Sequence, residues 1–212
     1  MLDIETTTSQ ANTYRILARL FDFPDEDYHG QTETYKALIR EAKKLEPKFL
    51  ELSHKLAQSA KGQTIELLRV EYLRLFDTAQ KKDFTNLRAL TYFNQEDVTL
   101  KHLMEAYEAH EFILGYPEYP PDHLCNELDF IHHLNDRLLI LLKAGTSIPA
   151  MELQKFKCSF MRDHFMKWLP ELTKYILCNS TSAYFMQLSI IARTVLVNCI
   201  NRDELENQQT EK

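Results

Sequence analysis

Apolar residues recur at three- and four-residue intervals along most of the chain, and the runs break at prolines and glycines. Ile16, Leu17, Leu20 and Phe21 share one face of a first helix within residues 12–23, which Pro24 stops. After a turn from Asp25, Tyr35, Leu38, Ile39 and Ala42 predict a second helix to Leu45. Phe49, Leu52, Leu56 and Ala60 predict a third, from Pro47 toward Gly62. Within residues 64–76, Ile65, Leu68, Tyr72, Leu75 and Phe76 form one stripe flanked by Glu66, Arg69, Glu71 and Arg74. That stripe suits core packing, and its aromatic end, Tyr72, Leu75 and Phe76, suits equally a groove for another helix or an extended peptide.

Residues 77–97 lose the period and mix Lys81, Lys82, Asp83, Asn86 and Asn94 with Leu87, Leu90, Tyr92 and Phe93. A connector of that length is usually functional, mobile or domain-dividing. Helical spacing resumes over residues 98–114, with Gly115 as its stop, and Pro120 and Pro121 then interrupt the chain as a hinge. Leu124, Leu128, Ile131, Leu134, Leu138 and Leu142 predict a long central helix ending at Gly145, with Pro121 in its first turn. A further helix spans residues 150–169 and breaks at Pro170 into residues 171–178. The last, residues 183–200, carries Phe185, Leu188, Ala192, Val195 and Cys199 on one face. No convincing strand alternation or internal repeat occurs. The expectation is an all-α, compact multi-helix bundle of roughly nine helices, one domain over residues 1–205, with a disordered polar tail at 206–212.

Composition narrows the function. Four glycines in 212 residues leave no phosphate loop or dinucleotide fingerprint. A formal charge of −6 gives no basic footprint for nucleic acid or anionic membranes and favours basic partners. No leader pattern and no run of about 18 apolar residues is present, so the chain reads as soluble and cytoplasmic. Cys125, Cys158, Cys178 and Cys199 are widely spaced on helical stretches and read as buried reduced thiols.

Candidate chemistry is sparse. Glu51 and His54 have the Glu-x-x-His spacing of a helical di-iron site. His123, Glu127, Asp129 and His132 share a single helix, and they constitute the metalloprotein alternative. No nucleophile elbow exists, and Asp122 and His123, adjacent on a helix, point about 100° apart, which disfavours joint acid–base work. The reading is a non-enzyme without cofactor. Asp122 and His123 sit at what reads as an exposed helix entrance, where Asp122 suits capping of the helix or acceptance of a partner's donor.

Pro121-Asp122-His123-Leu124, followed by Glu127, Leu128 and Phe130, resembles the signature of the TorD/DmsD/NarJ-type cytoplasmic chaperones of molybdoenzymes. Arg15-Ile16-Leu17 with Leu20, Phe21 and Pro24, Glu71 through Phe76, Tyr107, His164 with Trp168 and Pro170, and Tyr184-Phe185 with Leu188 follow in the family's order. Asp77 through Lys82 and the doubled proline depart from the usual pattern, which bears on the client and the local binding surface more than on the fold. The resemblance implies a TorD-like fold that binds the twin-arginine signal peptide or N-terminal region of a molybdopterin-containing oxidoreductase and holds the apo-enzyme for cofactor insertion before export. It further implies client binding at Asp122 and His123, with Glu118, Tyr72, Leu75 and Phe76 in support. Asp122 would accept an arginine or backbone N–H, and His123 would donate or stack, with a charge that changes near neutral pH. Weak guanine-nucleotide binding and a monomer or helix-exchanged dimer are implied by the same family.

Overall fold

The structure, a computed structural model, describes residues 3–76, 87–93 and 96–210. Among the described residues nine α-helices run in chain order: α1 (Ile4–Leu20), α2 (Thr32–Leu45), α3 (Pro47–Ala60), α4 (Ile65–Phe76), α5 (Glu96–Ala109), α6 (Leu124–Lys143), α7 (Ser147–Phe160), α8 (Met166–Asn179) and α9 (Ala183–Thr210). A 3-10 turn at Ala89–Tyr92 precedes α5, and a π turn at Met161–Phe165 joins α7 to α8. Among the described residues there is no strand, only an isolated antiparallel bridge between Arg88 and His123. The all-α expectation holds.

Helix α6 is the axis of the core. Leu124, Leu128, Ile131, Leu134 and Leu138 are completely buried along it, each contributing about 1.5–3 kcal/mol of transfer free energy. Helix α1 lies along α6, α2 packs on α1 and α3, and α9 closes the bundle against α3 and α8. Lys157 of α7 is buried too, its Nζ donating to Asn135 Oδ1 of α6 at 2.9 Å and Gln10 Oε1 of α1 at 3.3 Å. Helix α6 stops where its pattern ends. Gly145 adopts φ 72°, and the N–H groups of Gly145 and Thr146 return to the carbonyls of Leu142 and Leu141 in a Schellman turn.

Several boundaries differ from the sequence reading for identifiable reasons. Helix α1 begins eight residues earlier than Asn12, at Ile4, capped by Asp3 Oδ1 accepting from Thr6 N at 2.8 Å. Its first turns bury Thr7, Ser9, Gln10 and Ala11, which carry no apolar period. Helix α5 ends at Ala109, and Glu111 turns the chain with φ 57°. Gly115 is no helix stop: a Cβ there would fall 2.1 Å from Asp129 Oδ2, so the glycine permits a close approach.

Pro121 lies ahead of α6 rather than in its first turn. Pro170 does not break the chain but sits inside α8. The break lies upstream, in the π turn, and Met166, four residues before the proline, has ψ −10°, which swings its carbonyl from the ring. Helix α9 continues past Ile200 to Thr210. Cys125 and Cys158 are buried free thiols, whereas Cys178 is exposed, against expectation; the Cys199 side chain, with Lys81, Lys82, Asp83, Asn86 and Asn94, lies outside the described residues.

Candidate functional site

The start of α6 is built by three short pieces of chain. The first is the loop from Tyr116 to Pro121, clamped by Asn126: its Oδ1 accepts from Tyr116 N at 3.0 Å, and its Nδ2 donates to the carbonyls of Tyr116 and Pro120 at 3.0 and 3.1 Å. Tyr107 of α5 adds a hydrogen bond from its hydroxyl to the Pro121 carbonyl at 2.9 Å. The prolines thus lie in a loop held from two sides. Pro120 and Glu118 are exposed there.

The second piece is the pair Asp122 and His123, and here the structure corrects the exposed entrance: Asp122 is 0% and His123 6% exposed. His123, not Asp122, caps α6, its Nδ1 accepting from Cys125 N at 3.3 Å. The imidazole stacks on Tyr119 with centroids 4.0 Å apart, and the Tyr119 hydroxyl donates to Asp22 Oδ1 at 2.7 Å. Burial, reinforced by the Arg88 cation, lowers the His123 pKa to about 3. The ring is therefore neutral near pH 7, and the expected charge change near neutrality does not occur at this group.

The third piece is residues 87–93, which lie as a strap over the helix start. Arg88 makes a forked ion pair with Asp122, Nη2 to Oδ1 at 2.9 Å and Nε to Oδ1 and Oδ2 at 3.1 and 3.2 Å. Leu90 N also donates to Asp122 Oδ2 at 3.2 Å. The backbones pair as well: Ala89 N donates to the Asp122 carbonyl at 2.9 Å and Leu124 N to the Leu87 carbonyl at 2.7 Å. Farther along, Tyr92 stacks on Trp168 (5.9 Å, 22°) and Phe93 on His164 (5.5 Å, 25°). His164 is in turn fixed by the wholly buried Glu127, whose Oε1 lies 2.8 Å from its Nε2. Burial raises the Glu127 pKa, and the His164 contact opposes that rise.

Tyr72, Leu75 and Phe76 face inward, 7%, 2% and 6% exposed, in an aromatic cluster with Phe185. They are core side chains in this conformation, while the outward face of α4 carries Leu67, Val70 and Leu73. Tyr72 still links the cluster to the site, since burial raises its pKa and Cys125 and Tyr119 beside it add to the rise. On the same helix Glu71 accepts from Arg74 at 2.7 Å, from the Ser180 hydroxyl at 2.7 Å and from Thr181 N at 2.7 Å. Burial acts to raise its pKa, but these donors prevail and hold it at about 2.

The metal alternative does not assemble. His123 caps a helix, Glu127 faces His164, and His132 lies 3.4 Å from Asp136. Among the described residues no group of three or more metal-ligating side chains gathers. Nor is any helix among them long and apolar enough to cross a membrane.

Sequence reasoning missed Arg88, Asn126 and the Glu127–His164 contact. The available signal for Arg88 was one basic residue set among Leu87, Leu90, Tyr92 and Phe93 in an aperiodic stretch.

Comparisons with known proteins add two findings. A family model described as nitrate reductase delta subunit matches residues 42–174. The chain is also 30% identical over 131 residues to a Bacillus subtilis (strain 168) protein named probable nitrate reductase molybdenum cofactor assembly chaperone NarJ. That match covers 58% of this chain and spans 66% of the relative's own length.

Proposed function

The chain belongs to the nitrate reductase delta subunit family, and on that premise we propose that it is a cytoplasmic maturation chaperone for a molybdopterin-containing oxidoreductase. It binds the twin-arginine signal peptide or the N-terminal region of its client and holds the apo-enzyme for cofactor insertion. The NarJ relative supports the class of work, and the site supports the mode of binding. The observation that carries the reading is the Asp122 carboxylate, buried at the start of α6 and engaged with a guanidinium in a forked contact. A carboxylate in that setting selects arginine over lysine, because two N–H groups in a fixed plane match two oxygens.

Asp122 is the acceptor of the client's arginine, and His123 holds the helix start and the Tyr119 ring beside it. Glu118, exposed on the adjoining loop, adds negative charge for a basic segment. Tyr72, Leu75 and Phe76 support the site from the core beneath.

Calorimetric titration with leader peptides of molybdoenzymes and their scrambles tests this. An authentic peptide binds more tightly than its scramble, the affinity falls with added salt, and Asp122→Ala weakens it at least about tenfold while the helical circular-dichroism spectrum persists. Equal binding of every peptide and its scramble would overturn the reading.

A further inference from the structure

The strap over α6 has the chemistry that the proposed site asks of its client. It presents an arginine to Asp122, apolar and aromatic side chains at Leu90, Tyr92 and Phe93, and an extended backbone at Arg88, φ −124° and ψ 132°, paired with His123. Among the described residues its hydrogen-bonding and stacking anchors are non-covalent and lie on one side, while α5 packs against its 3-10 turn. Asp122, the carbonyl of Asp122, Leu124 N, Trp168 and His164 receive it, and all of them belong to the segment from Asp122 into α6, to the π turn or to α8. Arg88 remains 33% exposed, so its guanidinium can return to water when it leaves, whereas Asp122, at 0%, cannot. The carboxylate therefore needs a replacement donor the moment Arg88 departs.

We propose that residues 87–93 are a built-in occupant of the client site, and that the client binds by exchange. An extended segment bearing an arginine followed by apolar or aromatic residues replaces Arg88 on Asp122 and Tyr92 on Trp168, and takes over the backbone pairing to Asp122 and Leu124. The inference rests on the proposed function and specifies its partner: the sequence that binds is one that mimics the strap. Affinity is then set by a difference, the client's contacts against those of residues 87–93. Segments without arginine fail because they leave Asp122 buried and unpaired.

Trp168, the only tryptophan in the chain, is buried under Tyr92 and reports the exchange by its fluorescence. The test uses the full chain, a capped peptide with the sequence of residues 87–93, the same peptide carrying the Arg88→Gln change, and a molybdoenzyme leader. Tyr92→Ala loosens the strap without orphaning Asp122, and Arg88→Gln loosens it at the other end. The strap peptide should bind Tyr92→Ala about tenfold or more tighter than the unaltered protein, as expected when the competent state rises from a minor fraction. The glutamine peptide should lose that gain, and Trp168 emission should change on binding.

Equal affinity of the strap peptide for the unaltered protein and both variants would overturn the exchange. So would a leader that binds without any change in Trp168 emission, and that result leaves the proposed function standing. A leader that fails to bind, beside a strap peptide that binds Tyr92→Ala, would overturn the proposed function and support the exchange.

Discussion

Among the buried carboxylates that hold an arginine are Glu71 and Asp122, and the donors around these two come from different places. Glu71 takes Arg74 from its own helix, three residues on, and takes Ser180, Thr181 and Ser182 from the turn between α8 and α9. Its donors are parts of helices and a turn already fixed by packing. The Asp122 carboxylate takes its guanidinium from Arg88 and a backbone donor from Leu90, both on the strap. Remove the strap and Asp122 loses every donor it has among the described residues. The first arrangement works as a staple and the second as a socket.

The largest expected effect is on the staple. Glu71→Ala removes the shared acceptor of Arg74, the Ser180 hydroxyl and the Thr181 N–H and should cost about 2–4 kcal/mol in urea unfolding. Leader-peptide affinity should stay unchanged. A loss of affinity equal to that of Asp122→Ala would erase the distinction.

Acid separates the two regions next. Both groups have folded pKa values below their ordinary ones, so the unfolded chain takes up protons first and stability falls as pH falls. For His123 the window opens at 6.5 and runs toward about 3; for Glu71 it opens only at 4.5 and runs toward about 2. Between pH 6.5 and 4.5 the unaltered protein should lose up to about 1.4 kcal/mol per pH unit relative to His123→Ala. Parallel stability curves for the two proteins across that range would place His123 in water. The smallest effect belongs to the rim of the socket: Tyr119→Phe keeps the ring stacked on His123 but deletes the bond to Asp22, at a cost of about 0.5–1.5 kcal/mol in the same assay.

The contrast also explains what was legible in the chain beforehand. The seam of α6 and its end at Gly145 follow from local spacing, and the resemblance to molybdoenzyme chaperones, read from short ordered motifs, agrees with the family match and the NarJ relative. Glu71 and Arg74 were visible as flanking charges because a helix places their partner three residues away. Arg88 and Asp122 are 34 residues apart, and no periodicity links them. Asp122 looked exposed for the same reason: prolines announced a helix start, but the piece of chain that covers it lies in a stretch without pattern. Pro170 misled because the π turn that accommodates it involves backbone spacing, which leaves no mark on side-chain hydropathy.

The packing of α1 along α6 also sets a timetable for synthesis. Residues 4–20 leave the ribosome more than 100 residues before α6 does, yet α6 is the helix that α1 packs against most extensively. Lys157 lengthens the wait, because its ammonium finds both of its amide partners only when α1, α6 and α7 are in place. Contacts of such long sequence separation form late and slowly. Until then the nascent chain carries an unburied apolar helix, and the bundle cannot close around it.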